Sequence, residues 1–199
     1  MPRPALSARP ARLGRRFFAG PTLEVARSLI GAHLVHEVGP RDRRVGRIVE
    51  TEAYLGPADQ ASHARFGPTP RAQVMYGPPG HAYIYLIYGM YHCLNLVTEP
   101  EGTAHAVLIR AVEPLAGISG RTQGPGLVCQ AMAIDLALNG ADLCTADSGL
   151  YVEPRRGPRP PVGVSARVGV DYAGEWAERP WRFFLPGNPF VSRRPGVPR

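Results

Sequence analysis

The stretch ETEAYLGPADQASHARFG, residues 50–67, sets two carboxylates, a tyrosine, a histidine and an arginine beside a glycine–proline turn. In an extended chain, residues two apart share a face, so Glu50, Glu52 and Tyr54 point one way while Thr51 and Ala53 point the other. Ile48 falls on the same alternation as the two acids, which argues against a merely solvated face. The turn then brings His63 back toward them. A carboxylate held beside a ring and an imidazole in a cleft can be tuned for general acid or base work. An exposed edge strand, with salt bridges to Arg47 or Arg65, is the competing reading of this pattern.

A second cluster is YIYLIYGMYHCLN, in which Tyr83 and Tyr85 share a strand face and Tyr88 precedes Gly89 at a turn. Strand tyrosines are usually core or cross-strand partners. Tyr76, Tyr83, Tyr85, Tyr88 and Tyr91, however, bring many hydroxyls for a core to satisfy. Rings with polar tips suit a base-stacking surface, and a bulky residue at a hairpin tip suits a wedge that opens a duplex. His92 and Cys93 are adjacent on a strand and so point to opposite faces, which argues against a metal pair. Cys93, Cys129 and Cys144 have no CxxC spacing, so no disulfide framework or thiolate zinc site is indicated, and a reducing cytoplasm suits them.

These residues need elements to hold them. A helix is expected over 21–31, with Pro21 in its first turn, Leu23, Ala26, Leu29 and Ile30 at helical spacing, and Gly31 as its stop. Strands follow at 34–38, at RRVGRIVETEAY, in two runs around a turn near Gly89, and at AHAVLIRAVEPL. GPGLVCQAMAIDLALNG reads as one helix closed by Asn139 and Gly140. PRRGPRPPVG reads as a loop and ARVGVDYAGEWAERPWRFFLPG as strand-like runs. The order predicts a single mixed α+β domain around a largely antiparallel sheet. Residues 1–16, with five arginines and no acid, read as a flexible basic arm, 17–192 as the domain and 193–199 as a basic tail.

The 199 residues carry a net charge of +7, and every basic residue is arginine. Arginine's planar fork suits phosphates and ring faces, so a polyanion partner is one reading. A GC-rich coding sequence is the simpler reading of the missing lysine. The longest apolar stretch, AYIYLIYGMYHCLNLV, is too short to span a bilayer and is interrupted by His92 and Asn95, so a soluble protein is expected.

RIVETEAYLG, MYGPPGHAYIYLIYGMYHCLN, VLIRAVEPLAG, GPGLVCQAMAI and RVGVDYAGEWAERPWRFF stand in the order found in the alkyladenine (3-methyladenine) DNA glycosylase family. The resemblance covers nearly the whole chain. It implies a curved antiparallel sheet with flanking helices, and a protruding β-hairpin that enters the DNA minor groove. It also implies a monofunctional enzyme that flips alkylated or deaminated purines from double-stranded DNA. Such an enzyme hydrolyses the N-glycosidic bond with no metal or cofactor, and starts base excision repair. Substrates in the family include 3-methyladenine and 7-methylguanine, and often hypoxanthine and ethenoadenine.

Carried over by position, Glu52 matches the general base, and His63, Arg110 and the backbone of Val168 match the groups that hold its water. Tyr54, His63 and Tyr85 match the walls of the base pocket, Tyr88 matches the wedge, and Asn95 matches the residue that meets guanine's exocyclic amine. Glu50 is read as support. Leu127 stands where many members carry a lysine, with Arg121 nearby as a substitute. The resemblance further suggests a monomer in a bacterial-type cytoplasm, associated with the nucleoid through DNA.

Two other classes stay open on the sequence. A non-enzymatic nucleic-acid-binding module accounts for the charge and the tyrosines, but not for Glu52 facing phosphates. A glycoside hydrolase would use Glu50 and Glu52 as its acid and base.

Overall fold

The computed structural model describes residues 11–192. Residues 1–10 of the expected arm and the expected tail at 193–199 therefore lie outside the described residues. Within the rest of that arm, Arg12 stacks on the Tyr151 ring at 3.7 Å and donates to the Thr145 and Ser148 carbonyls at 2.8 Å each. A short helix that the sequence reading missed, α1 (Arg15–Phe18), follows and buries Phe18.

Helix α2 (Thr22–Ser28) leads into β1 (His33–Gly39) and the long β2 (Asp42–Leu55). Then come the hairpin strands β3 (Ala82–Ile87) and β4 (Tyr91–Thr98), β5 (His105–Ala116) and α3 (Pro125–Met132). The short strands β6 (Leu150–Glu153), β7 (Gly163–Ser165) and β8 (Arg182–Phe184) complete one mixed α+β domain. The sheet runs β3-β4-β5-β2-β1-β6, with β8 pairing both β2 and β7, and every strand pairing is antiparallel. One edge of β2 changes partner along its length, from β1 at Asp42–Arg47 to β8 at Glu50–Glu52. The sheet curls at that point.

Alternation along the central strands sorts their side chains between two sides. Ile84, Leu94, Leu96, Val107 and Ile109 pack with Val25 and Ala26 of α2, Leu29 just after it, and Val128, Cys129 and Met132 of α3 in the main core. Burying each such aliphatic side chain stabilises the fold by about 1.5–3 kcal/mol. Tyr83, Tyr85, Asn95, Leu108 and Arg110 come from the alternate positions and line a cavity on the opposite side. Thr51 follows the same rule, since its hydroxyl donates to Ala26 O in α2 at 2.9 Å.

Three expectations about the elements need correction. Ile48 does not share a face with Glu50, because it packs in the main core. The β2–β5 register shifts between Ile48 and Glu50 and again between Glu50 and Thr51, leaving Val49 and Arg110 without partners in that ladder. Such irregularities re-aim side chains. Here they turn Glu50 and Arg110 toward the cavity side, while Val49 and Ala111 pack with Val191.

The helix expected to reach Asn139 ends at Met132, where Ala133 takes a left-handed φ of 54°. A separate 3₁₀ turn, Leu136–Leu138, then starts on the Asp135 side chain, whose Oδ1 accepts from Ala137 N at 2.8 Å. Finally, the segment expected to be strand-like after Val170 is mostly a kinked 3₁₀ stretch, Asp171–Glu178, broken at Gly174, with only Arg182–Phe184 extended.

Candidate active site

Glu50 and Glu52 are both 0% exposed, so their charges need compensation inside the protein. Glu50 is fully occupied. Its Oε1 accepts from Arg110 Nε at 3.0 Å, Arg182 Nε at 2.7 Å and Ser192 Oγ at 2.9 Å, and its Oε2 accepts from Ser192 N at 2.6 Å. Two guanidiniums on one carboxylate leave it no room to act as an acid or a base. This geometry removes the paired-carboxylate arrangement that a glycoside hydrolase would need.

Glu52 is held differently. Val168 N donates to its Oε1 at 2.7 Å, Tyr54 Oη donates to Oε2 at 2.9 Å, and Arg110 Nη1 reaches Oε2 at 3.4 Å. Among the described residues, those three donors leave one of a carboxylate's roughly four acceptor sites open. Burial, with the Glu52 charge second, pushes the Tyr54 phenol well above its ordinary value, so it stays a donor. Burial works against the charge of Arg110, but Glu52 and Glu50 outweigh it and hold the guanidinium firmly protonated.

Tyr54, Arg110 and Val168 form part of the wall of a cavity of about 210 Å³ that also exposes His63, Tyr85 and Asn95. Glu52 thus sits one layer beneath the cavity surface. His63 begins a 3₁₀ turn, His63–Phe66, capped by Ser62 Oγ, which accepts from Ala64 N at 3.1 Å. Its Nδ1 lies 2.8 Å from Tyr83 Oη, and its ring meets Tyr85 edge-on with centroids 4.5 Å apart. Burial, followed by the Arg71 and Arg65 charges, lowers the His63 pKa to about 4, so the ring is neutral near pH 7. Asn95, paired across the hairpin with Tyr83, donates from Nδ2 to Tyr83 O at 3.2 Å on the cavity floor.

At the other end of the hairpin, Tyr88 is 84% exposed with φ 53°, and Gly89 follows with φ 70°. Met90 N closes this turn on Ile87 O at 3.2 Å. Left-handed backbone is natural for glycine and uncommon for tyrosine, so the turn holds its ring outward at a conformational cost. Just behind its turn, the hairpin is braced by α3. Tyr91 packs so closely on Gly126 that a Cβ there would lie 2.9 Å from its ring.

The structure therefore gathers Tyr54, His63, Tyr85, Asn95, Arg110 and Val168 around one cavity, with Glu52 beneath it and Tyr88 at its rim. The sequence reading missed Arg71, Met75 and Tyr172 in the same wall. Arg71 lies 5.2 Å from the Tyr85 ring centroid and donates to Leu86 O at 3.0 Å. No local spacing announces these residues, because each arrives from a loop or a short 3₁₀ turn outside the sheet. Arg182, on β8, and Ser192, which hold Glu50, were missed because they lie 132 and 142 residues from it in the chain. Among the described residues, no group of three or more His, Cys, Asp or Glu side chains is placed to hold a metal ion.

The sequence family described as methylpurine-DNA glycosylase matches residues 16–189. The chain belongs to that family. Its members are DNA glycosylases, hydrolases of the N-glycosidic bond, and DNA repair is their work. Proteins named "Putative 3-methyladenine DNA glycosylase" are similar along nearly their whole length. One from Anaeromyxobacter sp. (strain Fw109-5) is 58% identical over 93% of this chain and 94% of its own. One from Methanocella arvoryzae is 53% identical over 92% and 96%, and one from Legionella pneumophila (strain Lens) 49% identical over 92% and 98%. Among the described residues of this glycosylase, no helix is long and apolar enough to cross a membrane.

Proposed function

We propose that this glycosylase excises alkylated or deaminated purines from double-stranded DNA, with 3-methyladenine and 7-methylguanine as core substrates and hypoxanthine and ethenoadenine as further ones. The observation that carries the reading is the single carboxylate with an open acceptor site, Glu52, under a cavity walled by Tyr54, His63 and Tyr85. A base inside a duplex cannot reach such a site, so the nucleotide is flipped out at a cost of a few kcal/mol. Stacking on the pocket rings and insertion of Tyr88 into the vacated gap offset that cost.

In the pocket, water attacks C1′ of the sugar while the bond to the purine nitrogen breaks. The purine leaves with the bonding electrons, and Glu52 takes the proton from the water. A methylated purine is already cationic and leaves as a neutral base, so one carboxylate suffices. The same negative charge favours the oxocarbenium-like sugar in the transition state. Arg110, His63 and the Val168 backbone hold the water, and Asn95 opposes the exocyclic amine of normal guanine.

The protein acts as a monomer in the cytoplasm, on the nucleoid. It is monofunctional: strand cutting through a Schiff base needs an amine nucleophile, and the chain has no lysine. Incubation with a duplex containing one methylated purine should yield alkali-labile abasic sites and no borohydride-trapped protein–DNA adduct. Intact glycosidic bonds would refute the hydrolase reading, and a trapped adduct would refute monofunctionality.

A further inference from the structure

Beneath the cavity lies an ion pair that the proposed chemistry does not use. Arg167 Nη1 meets Asp59 Oδ2 at 2.5 Å and Nη2 meets Oδ1 at 2.9 Å, with both side chains 0% exposed. A buried pair of this kind is weak evidence for stability, because the desolvation of both ions offsets much of their attraction. An apolar pair of similar volume would serve a core as well. Arg167 Nε, moreover, is buried without a hydrogen-bond partner among the described residues, which a purely structural site would be expected to avoid.

The surroundings of the pair suggest what it does. Asp59 ties the end of β2 to the loop that carries His63, accepting from Leu55 N at 3.1 Å and Ala61 N at 3.0 Å. Arg167 donates to Ala53 O at 3.0 Å on β2 and to Trp176 O at 3.1 Å. Its guanidinium lies over the Tyr54 ring, 4.8 Å from the centroid, and over Trp181 at 5.0 Å. Tyr54 donates to one oxygen of Glu52, and Val168, the next residue after Arg167, donates to the other. One cation is thus fixed to both of the close donors to this carboxylate, by ring contact on one side and by the chain itself on the other.

We infer that the Asp59–Arg167 pair is a positioning device for Glu52, setting Tyr54 Oη and Val168 N where they direct the carboxylate. This rests on the proposed role of Glu52 as base. Arg167 touches no reacting atom. A fork-shaped guanidinium is required because it must bind Asp59 through two nitrogens, reach two backbone carbonyls and still lie over a ring, which an ammonium cannot do at once.

The test is single-turnover excision of a methylated purine from duplex DNA by the full chain carrying Arg167→Lys or Asp59→Asn. Each rate should fall about 10- to 100-fold while lesion-duplex binding stays within about threefold. The acid limb of the rate profile should also move to higher pH, because a carboxylate that loses donors holds its proton more readily. Arg110, Arg182, Tyr54, Tyr85, Cys93 and Glu50 also lie near Glu52, and neither substitution replaces any of them. Arg167→Lys combined with Tyr54→Phe should lose less than the product of the two single losses, since both act on the same carboxylate.

An unchanged rate and pH profile, multiplicative losses, or failure of both variants to fold would each overturn the inference. Glu52→Gln, assayed in parallel, separates the two readings. If it keeps excising, the assignment of Glu52 falls; if it is inactive while Arg167→Lys matches the native rate and pH profile, only the role of the pair falls.

Discussion

The floor of the cavity and the tip of the hairpin are built on opposite principles. On the floor, Glu50, Glu52, Arg110 and Arg182 are all buried and joined by ion pairs within 3.4 Å. At the tip, Tyr88 and Met90 are 84% and 67% exposed, and Leu86 and Tyr91 beside them are also partly open to solvent. Charges are inside and apolar side chains outside, the reverse of the ordinary distribution. A buried charge network holds its geometry before substrate arrives, as a proton-transferring group requires. An exposed apolar tip is completed only by something inserted against it, and under the proposed function that is the base stack. Preorganisation thus belongs to the chemistry, and incompleteness to the encounter.

The sharpest way to break this contrast is Glu52→Gln. The substitution keeps the shape of the floor but removes the proton acceptor, so excision should fall by at least about a thousandfold, roughly 4 kcal/mol of barrier. Duplex binding should stay within about tenfold, and near-native single-turnover excision would remove Glu52 from the mechanism. Next, Glu50→Gln leaves Arg110 and Arg182 buried against a neutral amide, and urea unfolding should register a loss of about 3–5 kcal/mol. A loss below about 1 kcal/mol would mean that the floor is not a charge-balanced unit.

Tyr88→Ser tests the other region. Lesion binding should weaken by about 1–3 kcal/mol, while stability changes by no more than about 0.5 kcal/mol, because nothing in the fold rests on that ring. Unchanged fluorescence from a base analogue beside the lesion, reporting unaltered flipping, would sink the wedge role.

A pH-dependent effect concerns His63, whose folded-state pKa of about 4 lies below its ordinary 6.5. Between those values the unfolded chain binds the proton that the folded chain refuses. Stability is therefore full above about pH 6.5 and declines as pH falls toward 4. Ring NMR signals should titrate near 4, and His63→Gln should flatten that part of the stability profile. A midpoint near 6.5 would show that the cavity wall does not exclude the charged ring.

Strand periodicity was enough to place Glu52 and Tyr54 on one face and Thr51 and Ala53 on the other, because side-chain alternation is a local property of extended chain. The turn at Gly89 was legible for the same reason, and the strongly periodic runs 43–54, 81–97 and 104–115 emerge as strands close to their expected bounds. Motif order carried the family. Helix and strand ends past residue 124 were not legible, since Ala133 and Gly174 break the pattern through backbone angles that no side chain there announces.

What only the tertiary structure decided is the local reversal around Glu50 and Arg110. Alternation alone puts Ile48 beside Glu50, and register shifts on both strands separate them, which requires knowing that β5 is the neighbour of β2. The partners of the acids likewise come from far along the chain: Arg110 is 60 residues from Glu50, Val168 is 116 from Glu52, and Ser192 is 142 from Glu50. Local sequence determines which way a side chain points; it does not determine what waits there, because contacts between distant segments follow from how the whole sheet curls and packs.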